Sequence, residues 1–253
     1  MGPMHNHIVY AHPSASSLNA ALRDETVRAL DALGHTTTVS DLYAMKWKAA
    51  ADYDDFGPTE NGNFMAAAGE AYQAGAQSAD ITAEQERLLA ADTLILQFPL
   101  WWFSMPAIMK GWVDRVFTNG FGYGATRTWK RYGEGRLAGR RAMIVVTTGA
   151  GAPHLSDRGI NGSIDDLLFP INHGILFYAG MEVLPPLVIT GAAQLDRAGY
   201  DEAVKRLRTR LETLKTTEPI AYRPQSGGDY DEDRRLKPGR ERPGATGFGL
   251  HIA

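Results

Sequence analysis

Four short apolar runs and one run rich in β-branched residues recur along the chain, separated by stretches whose apolar residues repeat at helical spacing. Ala142–Thr148 (AMIVVTT) is the plainest of them, and near-continuous apolar character of this kind belongs to a strand covered on both faces, as in parallel sheets. His7–Ala11, Thr36–Leu42, Leu94–Phe98 and Val183–Thr190 read as the other strands. Between them, Leu18–Leu33 reads as a helix closed by Gly34. Ile81–Ala91 reads as a helix capped by Thr82, with Glu84 and Glu86 in its first turn. Pro106–Phe117 is a helix with proline in its first turn and Met109, Trp112, Val113 and Val116 on one face. Ile164–Ala179 is helical, and Pro170 predicts a kink or break inside it. Arg197–Lys215 carries Val204, Leu207, Leu211 and Leu214 on one face. Asp52–Ala79 has no steady period, with alanine-rich parts of helical character, and Phe121–Arg136 reads as a glycine- and aromatic-rich loop.

Strands alternating with helices predict an α/β protein whose parallel sheet is covered on both faces, a three-layer sandwich. The expected strand order is 2-1-3-4-5, the flavodoxin-like order, which binds ligands at the carboxyl ends of the strands where the order reverses. The 253 residues divide into a domain over 1–222 and a Gly/Pro/charge-rich C-terminal extension over 223–253, ordered only if it packs on something. The chain has no cysteine, which excludes disulfides, thiolate metal sites, iron–sulfur clusters and thiol nucleophiles. A net charge of -3 argues against nucleic-acid binding driven by phosphate contacts. No apolar run has the length of a membrane span, and MGPMHNHIVYAH has no apolar signal-peptide core, so the expected location is cytoplasmic.

Three loops leave predicted strand ends, and each is unusual. His12-Pro13-Ser14-Ala15-Ser16-Ser17-Leu18-Asn19 places hydroxyls and helix-start amides together. That suits a nucleotide pyrophosphate or a flavin phosphate, without a Walker-type lysine or a GxGxxG turn, although the same serines serve equally as helix caps. Pro99-Leu100-Trp101-Trp102-Phe103-Ser104-Met105-Pro106 sets aromatics at the mouth of the sheet, a wall for a flat ligand if they are not simply core. Thr147-Thr148-Gly149-Ala150-Gly151-Ala152-Pro153 offers backbone amides to the polar edge of a heterocycle, or is a plain turn. No side-chain constellation competes: Asp165 and Asp166 suit the start of a helix, and a lone His173 suits a structural role. Ligand-shaped loops without a side-chain catalyst imply that a bound cofactor performs the chemistry.

The segments QFPLWWFSMPAIMKGWVDRVF (Gln97–Phe117), SDLYAMKW (Ser40–Trp47), AHPSASSLNAAL (Ala11–Leu22) and TTGAGA…GINGSIDDLLFPINHGILFYAGMEVLPP (Thr147–Pro186) resemble the NAD(P)H:quinone oxidoreductases at matching spacing. The resemblance implies FAD, with FMN as the alternative flavin, and a homodimer with active sites at its interface. It also implies two-electron quinone reduction in ping-pong order from NAD(P)H. Flavin contacts would fall on His12, Ser16, Ser17, Leu18 and Asn19, on Pro99, Leu100, Trp101, Trp102 and Phe103, on Thr147, Thr148, Gly149 and Ala150, and on Asp114. Trp102, Phe103 and Tyr178 would line the substrate face, with Phe121 and Tyr123 closing the pocket of the partner subunit.

The departures from the family pattern concern the charge-handling positions. A family tyrosine and histidine that steady charge on the reduced flavin read Leu155 and Asn161 here, and His154 is the neighbouring titratable group. One branch of the family also carries Asn there and uses ordinary nicotinamide dinucleotides poorly. The second glycine of the TTGG loop is Ala150, and an adenosine-end arginine aligns with Tyr200, beside Arg197. A metal-binding histidine of one branch matches His173, but its partners fall on Phe177 and a non-cysteine position, so no metal is expected. The alternatives are a specialised reductase for nitro, azo or polycyclic aromatic compounds, and a non-catalytic flavin-binding partner protein.

Overall fold

A computed structural model describes residues 2–60, 62–124, 126 and 128–253, so Ala125 and Arg127 of the predicted Phe121–Arg136 loop lie outside the described residues. The strands are β1 His5–Tyr10, β2 Thr36–Asp41, β3 Thr93–Pro99, β4 Arg141–Thr147, β5 Glu182–Val183 and β6 Leu187–Ile189. They form a parallel sheet in the order β2-β1-β3-β4-β5, with β6 also paired to β4. Every residue of β3 is buried, because helices cover both faces. The helices are α1 Leu18–Ala32, α2 Phe64–Ala74, α3 Ala79–Ala90, α4 Ala107–Val116, α5 Ile164–Ile171 and α6 Arg197–Glu212.

Side-chain alternation along the strands divides the core in two. Ile8, Tyr10, Ile95, Met143 and Val145 pack under α1 and α6, against Leu22, Leu30, Leu207 and Leu211. Val9, Leu94, Leu96, Phe98, Ile144 and Val146 pack under the other layer, against Ile81, Leu88, Met109, Trp112 and Leu168. Gly111 is required on α4, since a Cβ there would lie 2.0 Å from the Ala49 carbonyl oxygen.

Three local expectations are corrected. Val183–Thr190 is not one strand: Pro185 and Pro186 have no amide to donate, so the run splits into β5 and β6 along successive parts of β4. α3 starts at Ala79 with Ser78 as its N-cap residue, four residues before Thr82. The cause is Arg115, whose guanidinium binds Asp80 at 2.7 Å and the Ser78 hydroxyl at 3.3 Å and so pins the earlier start. Pro170 does not break its helix; α5 runs through it and widens into a π-helical segment, Asn172–Phe177.

Arg115 also organises the Asp52–Ala79 excursion. It is 2% exposed and donates to Asp55 at 2.8 and 3.0 Å and to the Lys48 carbonyl at 3.2 Å, with its guanidinium 4.5 Å from the Trp47 ring centroid. Beyond this hub, α2 closes a small core of Phe56, Ala67, Ala68 and Ala71. The residues after Tyr222 fold back on the body of the protein. Buried Arg223 gathers the carbonyls of Arg240, Leu250 and Ile252 and pairs with Asp229, while Tyr222 bridges to Ile252. Among the described residues, no helix is long and apolar enough to cross a membrane.

Glu84 is the fully buried carboxylate of the core. It accepts from the Ser40 hydroxyl at 2.8 Å and the Trp112 indole at 2.7 Å, pairs with Arg87, and lies 3.6 Å from buried His7. Burial alone would raise its pKa, but neighbouring His7 and the hydrogen bonds from Trp112 and Ser40 outweigh that and hold the carboxyl below its ordinary 4.5. A lowered folded-state pKa supplies stability in full above the unfolded value and loses it as pH falls through the folded one. Glu84→Gln is therefore expected to cost about 3 kcal/mol near neutral pH. Its urea stability should also decline less steeply than the wild type's as pH falls below 4.5. Parallel pH slopes for the two proteins would refute this account.

Candidate functional site

The loops after β1, β3 and β4 meet at the carboxyl edge of the sheet through direct contacts. The His12 ring lies 5.9 Å from the Trp101 ring. The Leu100 amide donates to the Thr147 carbonyl at 2.8 Å. Asn19 Nδ2 donates to Thr147 Oγ1 at 2.6 Å, and Gln97 Nε2 to the Asn19 carbonyl at 2.7 Å. The remaining side-chain oxygens, Asn19 Oδ1 and Gln97 Oε1, are buried with no protein partner among the described residues. Buried acceptors of this kind require a donor from outside the chain or from water.

The first loop presents hydroxyls at a helix start. Ser17 is the N-cap of α1 and its side chain accepts from the Ala20 amide, so this serine does cap the helix. Ser14 and Ser16 do not; their hydroxyls are exposed and 3.1 Å apart. The Leu18 and Asn19 amides, in the first turn of α1, have no hydrogen-bond acceptor among the described residues. Free amides, the positive end of the helix and two hydroxyls together suit an anion.

The second loop is a strained hairpin. Trp101 and Ser104 exchange backbone hydrogen bonds of 3.0 and 3.1 Å around Trp102 and Phe103. Those two residues have φ of 49° and 62°. This left-handed pair belongs to turns that favour Asn and Gly, and a bulky aromatic there costs about 1–3 kcal/mol. The geometry turns the rings outward: Trp102 is 94% exposed and Phe103 48%. They are not core residues, and the Trp102 and Phe103 amides make no hydrogen bond among the described residues. The site therefore has a projecting apolar wall with free donors at its base.

In the third loop, Thr147 and Thr148 are buried and Gly149 is exposed, with open space where a Cβ would stand. The Thr148 amide donates to Ile189, which ties this loop to β6. Ala150 donates to the Thr148 hydroxyl, and the Gly149 amide is unpaired among the described residues. His154 is exposed and its carbonyl accepts from the Asn161 amide at 3.1 Å, so these two positions adjoin. Leu155 is 6% exposed, an inward apolar side chain. It corrects the placement of that position among reacting groups, because a buried alkyl chain neither donates nor accepts a proton.

Other predicted residues lie away from the three loops. Asp114 sits near the C-terminal end of α4, exposed and paired with Lys110. Phe121 is fully buried, edge-on to Phe117 and Tyr72, so it cannot reach into a partner's pocket as expected. Tyr123 is half-buried with its hydroxyl 3.0 Å from the Met65 sulfur, and burial raises its pKa. Tyr178 is half-buried, edge-on to Tyr132 at 5.0 Å, with the Arg131 guanidinium 5.7 Å from its ring. Sequence reasoning missed the bracing role of Gln97. The available signal was one amide side chain in an otherwise apolar strand.

A flat heterocycle bearing an anionic arm fits this arrangement: unpaired amides for its polar edge, an aromatic wall for its face, and a helix start for its anion. Comparison with known proteins agrees with that geometry. A family model described as a flavodoxin-like fold matches residues 4–211. A ribosyldihydronicotinamide dehydrogenase-like protein of Penicillium crustosum is 47% identical over 253 residues, covering 96% of this chain and 94% of its own length. The human ribosyldihydronicotinamide dehydrogenase [quinone] is 40% identical over 84% of this chain and 93% of its own. A solved structure of a provisionally assigned quinone reductase from Klebsiella pneumoniae is 51% identical, with a TM-score of 0.95, over 99% of this chain and 100% of that one. The chain is thus an oxidoreductase belonging to the flavodoxin-like family of NAD(P)H:quinone oxidoreductases.

Proposed function

We propose that this protein is a flavin-dependent reductase that passes hydride from a reduced nicotinamide, NAD(P)H, to quinones in a two-electron, ping-pong reaction. The observation that carries this reading is the convergence of unpaired amides, a free helix start and an aromatic wall at one edge of the sheet. FAD is favoured over FMN by the family resemblance; Arg197 and Tyr200, the guanidinium 5.8 Å over the ring, lie in the first turn of α6. The family resemblance further supports a homodimer acting in the cytoplasm. The exposed Trp101, Trp102 and Phe103 form an apolar projection that gains from being covered by flavin, acceptor or partner subunit.

When bound, flavin supplies hydride acceptance and donation. The chain's residues supply fixed surroundings. Ser14, Ser16 and the first amides of α1 hold the anionic arm. The Gly149, Trp102 and Phe103 amides stand ready to meet negative charge on the heterocycle without reorganising. The Trp102 and Phe103 rings orient a flat acceptor and exclude water. The Asn161 carboxamide neither gains nor loses a proton, and Leu155 has none to give.

Anaerobic titration should bleach the visible flavin band with at least one of NADH, NADPH and dihydronicotinamide riboside. The riboside is included because two relatives bear its name. Mass identification of the released flavin should give FAD. A protein that cannot be loaded with flavin, or that stays oxidised with all three donors, would overturn the proposal.

The hairpin supplies a second test. Trp102→Gly places in the left-handed position the residue that adopts it without strain. Relief of about 1 kcal/mol should raise Tm by roughly 2–4 °C in a chain of this size. The same change removes the stacking wall, so KM for the quinone should rise about tenfold or more. A destabilised protein with unchanged KM would show that Trp102 is a structural residue.

A further inference from the structure

The C-terminal residues line a surface cavity that none of the three loops lines, with Asp231, Arg234 and Phe248 exposed at its rim. The π-helical segment presents His173, and four rings stack through it. Phe248 lies on Phe169 at 4.2 Å and 10°, Phe169 on His173 at 4.5 Å and 15°, and His173 on Tyr132 at 4.9 Å and 29°. His251 lies 5.7 Å from His173, and its Nδ1 is 2.9 Å from the Tyr230 hydroxyl. Beside this column is a space of about 390 Å³, lined also by Arg131, Arg234, Asp231 and Gln225. That volume falls in the range of small-molecule sites, about 300–1,000 Å³.

Three features of the wall specify a guest. Phe169 and His173 are covered on both faces by their neighbours in the column, so they can offer the cavity only their edges. Aromatic edges are the positive part of the ring quadrupole and pair with the electron-rich face of another ring. Arg131 and Arg234 have no carboxylate partner among the described residues, whereas Asp231 accepts from the Arg235 amide of its own turn. Arg131 Nε and Gln225 Oε1 are buried without a partner, a donor and an acceptor awaiting polar atoms. His173 adds no positive charge near neutral pH, because burial, and then His251, lower its pKa to about 4.

The backbone is also strained where it delivers one of these groups. Arg234 has φ of 62°, inside the short turn closed by the Tyr230–Leu236 bridge and the Asp231–Arg235 backbone hydrogen bond. Strain that persists at a cationic residue on a cavity wall points to a role for that residue. We propose that this cavity binds a flat aromatic carboxylate, its ring against the column edges and Tyr230, and its acid group on Arg131 and Arg234. A bound carboxylate would join the Tyr230–Leu236 turn to the column that carries Phe248 and so fasten the C-terminal residues onto the π-helical segment. The site stands independently of the flavin assignment.

The test is calorimetric titration of the full, flavin-replete protein with 2-naphthoate, 2-naphthamide and 2-naphthylmethylammonium. Naphthoate should bind once per chain and at least about tenfold tighter than the amide, as expected for a charge-assisted contact. The ammonium compound should not bind. Arg234→Gly keeps the turn and relieves its φ, so this variant should fold with undiminished Tm and lose about tenfold in naphthoate affinity. Phe248→Ala should weaken naphthoate and naphthamide alike. Equal affinity for acid and amide, affinity unchanged in both variants, or displacement of naphthoate by a saturating quinone without donor would each overturn the proposal.

Discussion

Two buried amide side chains hold the site loops at fixed separations. Gln97 reaches from β3 to the Asn19 carbonyl, and Asn19 reaches from α1 to the hydroxyl of Thr147 at the end of β4. The partners are separated by 78 and 128 residues, so the loops are positioned by tertiary bonds and not by chain proximity. In a dry interior each such bond is strong and each missing partner is costly. Sheet order makes the brace possible: β1 lies between β2 and β3, and α1 packs on one face while α3 and α4 pack on the other. At that reversal the three loops are held against one another, His12 beside Trp101 and Leu100 on Thr147.

Outside the sheet, two arginines gather irregular segments of the chain. Arg115 gathers Asp55, Asp80, Ser78 and the Lys48 carbonyl. Arg223 gathers three carbonyls and Asp229. A guanidinium has five donors in a rigid plane, so one residue can fix several irregular segments at once. Burying such a charge is unfavourable unless every donor is met. The excursion after β2 and the C-terminal residues therefore order as units, each around its own cation.

How much of this could be read in the sequence follows from where the information is local. β3 and β4 were legible because burial on both faces leaves an uninterrupted apolar run. The loops at their ends were legible because Pro, Gly and clustered aromatics mark them. Val183–Thr190 was misread because its apolar content masks two prolines that cannot donate. Thr82 was misread as a cap because the residue that fixes the start of α3, Arg115, lies far along the chain. Phe121 was expected in the partner subunit's pocket because the family resemblance implies it, whereas its ring fills the core between Phe117 and Tyr72. Nothing local announces that Arg115 is buried while its neighbour Asp114 is exposed; helix phase against a distant loop decides it.

The left-handed backbone at Trp102 and Phe103 was the least legible feature, since a turn of this kind is ordinarily signalled by Asn and Gly. Its placement bears on how the site works. The loops offer backbone donors and apolar walls, and the position where the family resemblance implies a tyrosine holds a buried leucine. Backbone donors meet charge by being built in advance to fit it. Preorganisation requires groups held where they would not rest by themselves. Two large aromatics kept at positive φ, and exposed to solvent in the single chain, are such groups. The strain is tolerable because the hairpin is closed on both sides by backbone bonds between Trp101 and Ser104 and anchored below by Leu100 on Thr147. The core beneath the site is thus what allows its most exposed residues to be held in an unfavourable conformation.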